Sequence, residues 1–197
     1  GAIAIGNFDG VHRGHARLVR RLVRLASEMG GPAVAFTFDP HPVRLLRPQA
    51  APTPLSWLQR KAEMLASLGV DALVVYPTDP AVLALSPQEF FTRVVKNGFR
   101  AKAIVEGPDF HFGCERSGNI ELLRRLGAEA DVRVEVVEPL QIDGEAVSSS
   151  RIRKLIAGGE IEAANRLLTR PYCIRGVVGR GAARVISYEE YHPYGTA

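Results

Sequence analysis

The sequence predicts an α/β domain built on an open, parallel, doubly wound sheet, and three features carry that prediction. Short apolar runs alternate with amphipathic helical stretches along most of the chain. The runs are continuous and rich in β-branched and aromatic residues, as in strands buried on both faces. Glycine-bearing polar loops follow strand ends, where open α/β sheets place their ligands.

Taken in order, Ala2–Ile5 reads as the first strand and Gly6–Arg13 as a loop. A helix is expected from about Gly14 to Met29, because Leu18, Leu22, Leu25 and Met29 recur at helical spacing. Ala33–Phe38 is the second strand, and Leu45–Pro54, with its prolines, is a loop. A helix is expected over Leu55–Leu68, stopped by Gly69. Ala72–Tyr76 is the third strand, and Ser86-Pro87-Gln88-Glu89 opens a helix with an N-cap and a proline in its first turn. Ala101–Val105 and Val132–Val137 are the fourth and fifth strands, separated by the loop Gly107–Gly118 and a helix around Ile120–Leu126. Ser148–Ala157 and Glu160–Leu168 read as two short helices around Gly158-Gly159. From about Pro171 the rhythm breaks, leaving Tyr172–Val178 as one further strand and an aperiodic end. No internal repeat or low-complexity tract is present.

The 197 residues, 46% hydrophobic and 23% charged, suit one folded domain with a short appendage. No apolar run approaches the ~20 residues of a membrane-spanning helix, and no secretory leader opens the chain. The first residue is glycine, already in strand-like sequence, so residues upstream are expected to be missing. Cys114 and Cys173 lie far apart and form neither a disulfide framework nor a metal pair, which makes a reducing, cytoplasmic setting the expectation. Twenty-five Lys and Arg against 21 Asp and Glu give a net charge of +4, with a pI near 9.3. Such a bias fits a phosphorylated small molecule as well as a nucleic acid. Nucleic acid is the weaker reading, since no exposed aromatics interleave the basic residues. Oligomeric state has no signature in the sequence. The arginines Arg17, Arg20, Arg21 and Arg24 line one side of the first helix and read as a solvated face. Arg17, nearest the glycine loop, is the member considered for ligand contact.

Four clusters carry candidate chemistry. In Gly6-Asn7-Phe8-Asp9-Gly10-Val11-His12-Arg13-Gly14-His15, the glycines allow tight turning and close approach to a ligand. His12 and His15, three apart at a helix start, form an anion site suited to a phosphate in transfer; capping and core packing are the alternatives. In Val147-Ser148-Ser149-Ser150-Arg151-Ile152-Arg153, three hydroxyls at a helix start and Arg153 suit phosphate, the alternative being an ordinary N-cap. Thr37-Phe38-Asp39-Pro40-His41-Pro42 and Gly107-Pro108-Asp109-Phe110-His111-Phe112-Gly113 place rings and polar groups at strand ends, which suits a flat heterocycle beside a charge. Asp109 and Asp39 are the candidate carboxylates, Asp39 the more structural of the two.

Together these clusters resemble the FMN adenylyltransferase (FAD synthetase) module of the prokaryotic bifunctional riboflavin kinase/FMN adenylyltransferases, a branch of the His-x-Gly-His nucleotidyltransferases. The resemblance covers about residues 2–178, including Leu167-Leu168-Thr169-Arg170-Pro171-Tyr172. It implies a Rossmann-like sheet and transfer of an adenylyl group from ATP to FMN, giving FAD and pyrophosphate, assisted by Mg²⁺. It implies His12 and His15 on the ATP phosphates, with Gly6, Asn7, Phe8, Asp9, Gly10 and Gly14 lining the nucleotide pocket. Ser149, Ser150 and Arg153 are implied at the β- and γ-phosphates, and Phe38, Pro40, Asp109 and Phe110 near flavin or metal, Asp109 being the candidate metal ligand. Three positions depart from the family: Ser150 for threonine, His111 for arginine or threonine, and Asn119 for an acidic residue. Residues 1–169 are expected to form the adenylyltransferase domain and 170–197 the start of a riboflavin kinase barrel with an irregular tail. The kinase phosphate-binding segment does not follow, so riboflavin phosphorylation is not expected of this chain. Alternative readings are another nucleotidyltransferase, acting on nicotinamide mononucleotide or phosphopantetheine, and a non-catalytic nucleotide- or flavin-binding fragment.

Overall fold

The computed structural model describes residues 1–176. Five strands, β1 (Ala2–Ile5), β2 (Ala33–Asp39), β3 (Ala72–Pro77), β4 (Ala103–Glu106) and β5 (Arg133–Val136), form an all-parallel sheet in the order β3-β2-β1-β4-β5. The chain winds outward from β1 to β3, then crosses back to β4. The topological switch point therefore falls between β1 and β4, the position where such sheets open a ligand crevice.

Side-chain size decides how the two faces are covered. Ala2, Ala4, Ala33, Ala35 and Ala103 point to one face, and their small size lets α1 (Arg13–Glu28) lie close, burying Val19, Leu22 and Leu25. Each such leucine contributes about 2 kcal/mol on burial. Helix α3 (Leu58–Ala66) adds Met64 and Leu65 to this layer. The opposite face carries Ile3, Ile5, Phe36 and Ile104. It packs on α5 (Pro87–Phe90), the π-helical segment Phe91–Gly98 and α6 (Ile120–Glu129), through Phe90, Phe91, Val95 and Leu123. Short helices α2 (Pro42–Leu46) and α4 (Pro80–Leu83) follow β2 and β3. A third cluster, Leu55, Val147, Ile152, Leu167 and Leu168, joins α7 (Ser149–Ala157) and α8 (Ile161–Leu167) to the segment preceding α3.

Several boundaries move for physical reasons. Leu55–Trp57 stays outside α3, because the backbone N–H groups of Leu55 and Ser56 donate to the Asp9 carboxylate at 3.0 and 3.1 Å. A small hairpin, β6 (Gln141–Ile142) and β7 (Glu145–Ala146), turns on Asp143-Gly144, both at positive φ. That Asp-Gly pair is a hairpin signal the sequence reading passed over. Residues 172–176 form no strand, and the remainder of the expected barrel start, 177–197, lies outside the described residues.

At the switch point β1 and β4 part early. Their register runs only through Ala2↔Ala103 and Ile3↔Ile104. Beyond it the buried Glu106 side chain takes over, accepting the Ile5 N–H at 2.7 Å. Burial holds this carboxyl well above its ordinary pKa, opposed only in part by the hydrogen bond from Ile5.

Candidate functional site

The loop between β1 and α1 is tightly wound. Phe8, Gly10 and Val11 have φ of 46°, 74° and 36°, the last unusual for a β-branched residue. Gly10 is required twice over: its φ is positive, and a Cβ there would meet the Leu55 side chain at 3.0 Å. Three distant segments hold this conformation. Ser56 Oγ accepts the Gly10 N–H at 3.0 Å, Ser149 Oγ donates to the Asp9 carbonyl at 3.0 Å, and Thr169 Oγ1 donates to the Val11 carbonyl at 2.8 Å.

His12 caps α1, its Nδ1 accepting the His15 N–H at 3.2 Å. The two rings stack, centroids 3.6 Å apart and 15° between planes. Gly14 leaves room for this arrangement, since a Cβ there would lie 3.1 Å from His12 Nδ1 and 3.2 Å from the Val147 carbonyl. Burial, only partly offset by the Asp9 charge, lowers the His12 pKa to about 4. His15 is also held well below its ordinary value, by burial first and then by His12 and Lys61. Both imidazoles are therefore neutral at pH 7. With Nδ1 of His12 used as an acceptor, its proton resides on Nε2, a donor available to a ligand. The pair thus offers an anion neutral hydrogen-bond donors and no charge of its own. His15 Nδ1 is buried with no hydrogen-bond partner among the described residues.

Charge comes from two other groups. Arg153, on α7, reaches the same loop: Nη2 donates to Asp9 at 2.5 Å and Nε to the Thr53 carbonyl at 2.7 Å. Those bonds use two of its five N–H groups and leave three for a ligand. Lys61, on α3, is partly buried and carries a lowered pKa, its desolvation opposed by the charges of Asp9 and Asp39. The sequence reading missed it. Asp9 itself is an organising residue, with its carboxylate occupied by Leu55, Ser56 and Arg153. Ser150 is exposed one residue into α7, while Ser148 is the N-cap, accepting the Arg151 N–H at 3.2 Å. The structure thus brings Gly6–His15 and Ser149–Arg153 to one corner.

Phe38, Pro40, Asp109 and Phe110 lie along a neighbouring aromatic run. Phe38 contacts Phe36, Tyr76 and Phe90; Phe90 contacts Phe112, and Phe110 stacks on Phe112 with centroids 5.6 Å apart. The Asn7 amide lies 2.8 Å from His41 Nε2 and links the β2 end to the glycine loop. The Pro40 carbonyl accepts from Thr78 at 2.5 Å. Asp109 is exposed, and its carbonyl is paired with His111 Nδ1 at 2.9 Å. Asn119 caps α6 by accepting the Leu122 N–H at 3.0 Å. No group of three or more His, Cys, Asp or Glu among the described residues could hold a metal.

The parallel sheet, its switch point and the corner of histidines, serines and arginine beside it define an α/β domain of the nucleotidyltransferase type. A solved structure described as a macrolide-efflux protein from Streptococcus pneumoniae has this fold, with a TM-score of 0.77 and 29% identity over 87% of this chain and 65% of that one. The sequence profile of the FAD synthetase family matches residues 1–151, and the chain belongs to that family. Among similar proteins are the bifunctional riboflavin kinase/FMN adenylyltransferases of Pseudomonas fluorescens, 37% identical over 177 residues, and of Escherichia coli K12, 33% identical over 179. These alignments cover 90% and 91% of this chain but 57% of each relative, so the chain spans little more than half their length.

Proposed function

We propose that this domain transfers the adenylyl group of ATP to FMN. A phosphate oxygen of FMN attacks the α-phosphorus of ATP in line, the bond to the β-phosphate bridging oxygen breaks, and FAD and pyrophosphate result. No covalent enzyme intermediate is needed, so the protein's tasks are alignment and charge stabilisation. The observation that carries this reading is the docking of the Ser149–Arg153 helix start onto the His12–His15 loop, two phosphate-suited groups meeting at one corner.

In this reading His12 and His15 donate neutral hydrogen bonds to the phosphates as charge shifts toward the leaving oxygen. Lys61 and the free edge of Arg153 supply positive charge, and Ser149 and Ser150 face the β- and γ-phosphates. Gly6, Asn7, Phe8 and Gly10 line the nucleotide side. Phe38, Pro40, Asp109 and Phe110 border the flavin, whose ring suits the run of aromatic contacts at this edge. Magnesium would enter with ATP, held mainly by its phosphates, with Asp109 the candidate ligand from the protein. No helix among the described residues is long and apolar enough to cross a membrane. Cys114 and Cys173 are free thiols, and a reducing cytoplasmic location belongs to the same proposal.

The test is incubation of the full chain with ATP, magnesium and FMN, followed by chromatographic detection of FAD and measurement of pyrophosphate. Equimolar formation of both is expected. Binding of ATP and FMN without FAD would reduce the domain to a binding module. Turnover with nicotinamide mononucleotide or phosphopantetheine in place of FMN would move it to another branch.

A further inference from the structure

Adjoining the His12–His15 loop through Arg13, Leu168 and Thr169, the outer face of α1 forms the wall of a depression about 670 Å³ in volume. Arg13, Arg17, Arg20 and Arg24 line it at spacings of four, three and four residues, with Arg170 on the far side. Side chains at that spacing stand on one helix face about 6 Å apart, so the row is about 16 Å long. No acidic residue among the described residues lines the groove.

Arg21 shows how this helix treats a structural arginine. It is clamped by Glu135 and Glu28, and Glu135 is clamped in turn by Arg133. Arg17, Arg20 and Arg24 are exposed and have no ion-pair partner among the described residues. Like charges stacked at helical spacing repel, so the row costs stability until an anion fills it. The floor is apolar, made by Leu68, Leu140 and Leu168.

We propose that this groove is a second anion site, beside the catalytic corner, that takes a chain of phosphates such as a di- or triphosphate, free or carried by a nucleoside. Guanidinium groups pair with phosphate through two parallel hydrogen bonds, which explains arginine at every basic position lining the groove. Its volume is that of a small-molecule pocket, well short of a protein interface. The proposal does not depend on the adenylyl-transfer reading.

The test is calorimetric titration of the full chain with inorganic tripolyphosphate at low salt, alongside the charge reversals R20E/R24E and, on α6, R124E/R125E. The two variants have the same net charge, and all four positions are exposed. R20E/R24E is expected to weaken one tripolyphosphate binding event by roughly tenfold or more, while R124E/R125E changes affinity by less than about twofold. A matching titration with ATP distinguishes the sources: tighter binding than tripolyphosphate at the groove assigns the apolar floor to a nucleoside. Should R20E/R24E fail to fold, R20Q/R24Q removes the charge without adding repulsion. Equal effects of the two reversals, or none, would overturn the proposal. So would dependence on Arg20 and Arg24 seen only with an oligonucleotide or an acidic peptide.

Discussion

His12 illustrates how a residue's environment can reverse the first impression of its chemistry. Its pKa in the fold is about 4, against 6.5 for the free side chain. The unfolded chain therefore takes up a proton near pH 6.5 that the folded chain refuses until about pH 4. Folding stability attributable to this residue is full above pH 6.5 and falls as acid is added, by about 3 kcal/mol at the low end. His12→Asn keeps an N-cap acceptor and is expected to flatten this part of the acid-side stability profile in urea titrations. Glu106 behaves in the opposite sense: its raised pKa makes stability complete below its unfolded value and progressively lost as pH rises. Glu106→Gln retains an acceptor for Ile5, so it is expected to be more stable than the parent at neutral pH and equal to it in acid. Lys61 adds charge where the histidines do not. Lys61→Met is expected to lower kcat/KM for ATP by roughly tenfold or more with the fold retained, and an unchanged value would remove its assigned role.

Among elements, the loop from Gly6 to His15 carries the most constraint. Asp9→Ala strips the acceptor from the buried Leu55 N–H and the half-buried Ser56 N–H and leaves Arg153 unpaired on that side, and is expected to cost about 3 kcal/mol in denaturant unfolding. Ser148→Ala, by contrast, removes one helix cap and is expected to cost about 1 kcal/mol while leaving turnover nearly intact. These contacts also explain what could be read from sequence and what could not. The strand, glycine loop and histidine pair lie within 15 residues and announce themselves by spacing. The Ser149–Arg153 helix start was legible as a cap with a cation. Lys61 was not, because it is one lysine on an ordinary amphipathic helix. The segment that leads into its helix is fixed by the Asp9 carboxylate, 46 residues from Leu55. The neutrality of His12 and His15 was equally hidden, since desolvation is a property of the packed corner and not of the motif.

At the scale of the whole molecule, alternating apolar runs were enough to specify the five-stranded parallel sheet, as expected. The boundaries that shifted did so where long-range hydrogen bonds overrode local propensity, as at Leu55. The His12–His15 loop is fastened by Ser56, Ser149 and Thr169, from three parts of the chain remote in sequence. Helices α7 and α8 contribute no strand to the sheet, yet two of those three fasteners come from α7 and from the residues just after α8. Clipping the chain after the fifth strand would therefore spare the ladder and most of both apolar layers while releasing the His12–His15 loop. In a hydrogen-exchange experiment on such a shortened chain, β1, β2 and β4 should stay slow as the amides of residues 6–15 turn fast, because architecture and competence are secured by different stretches of polypeptide.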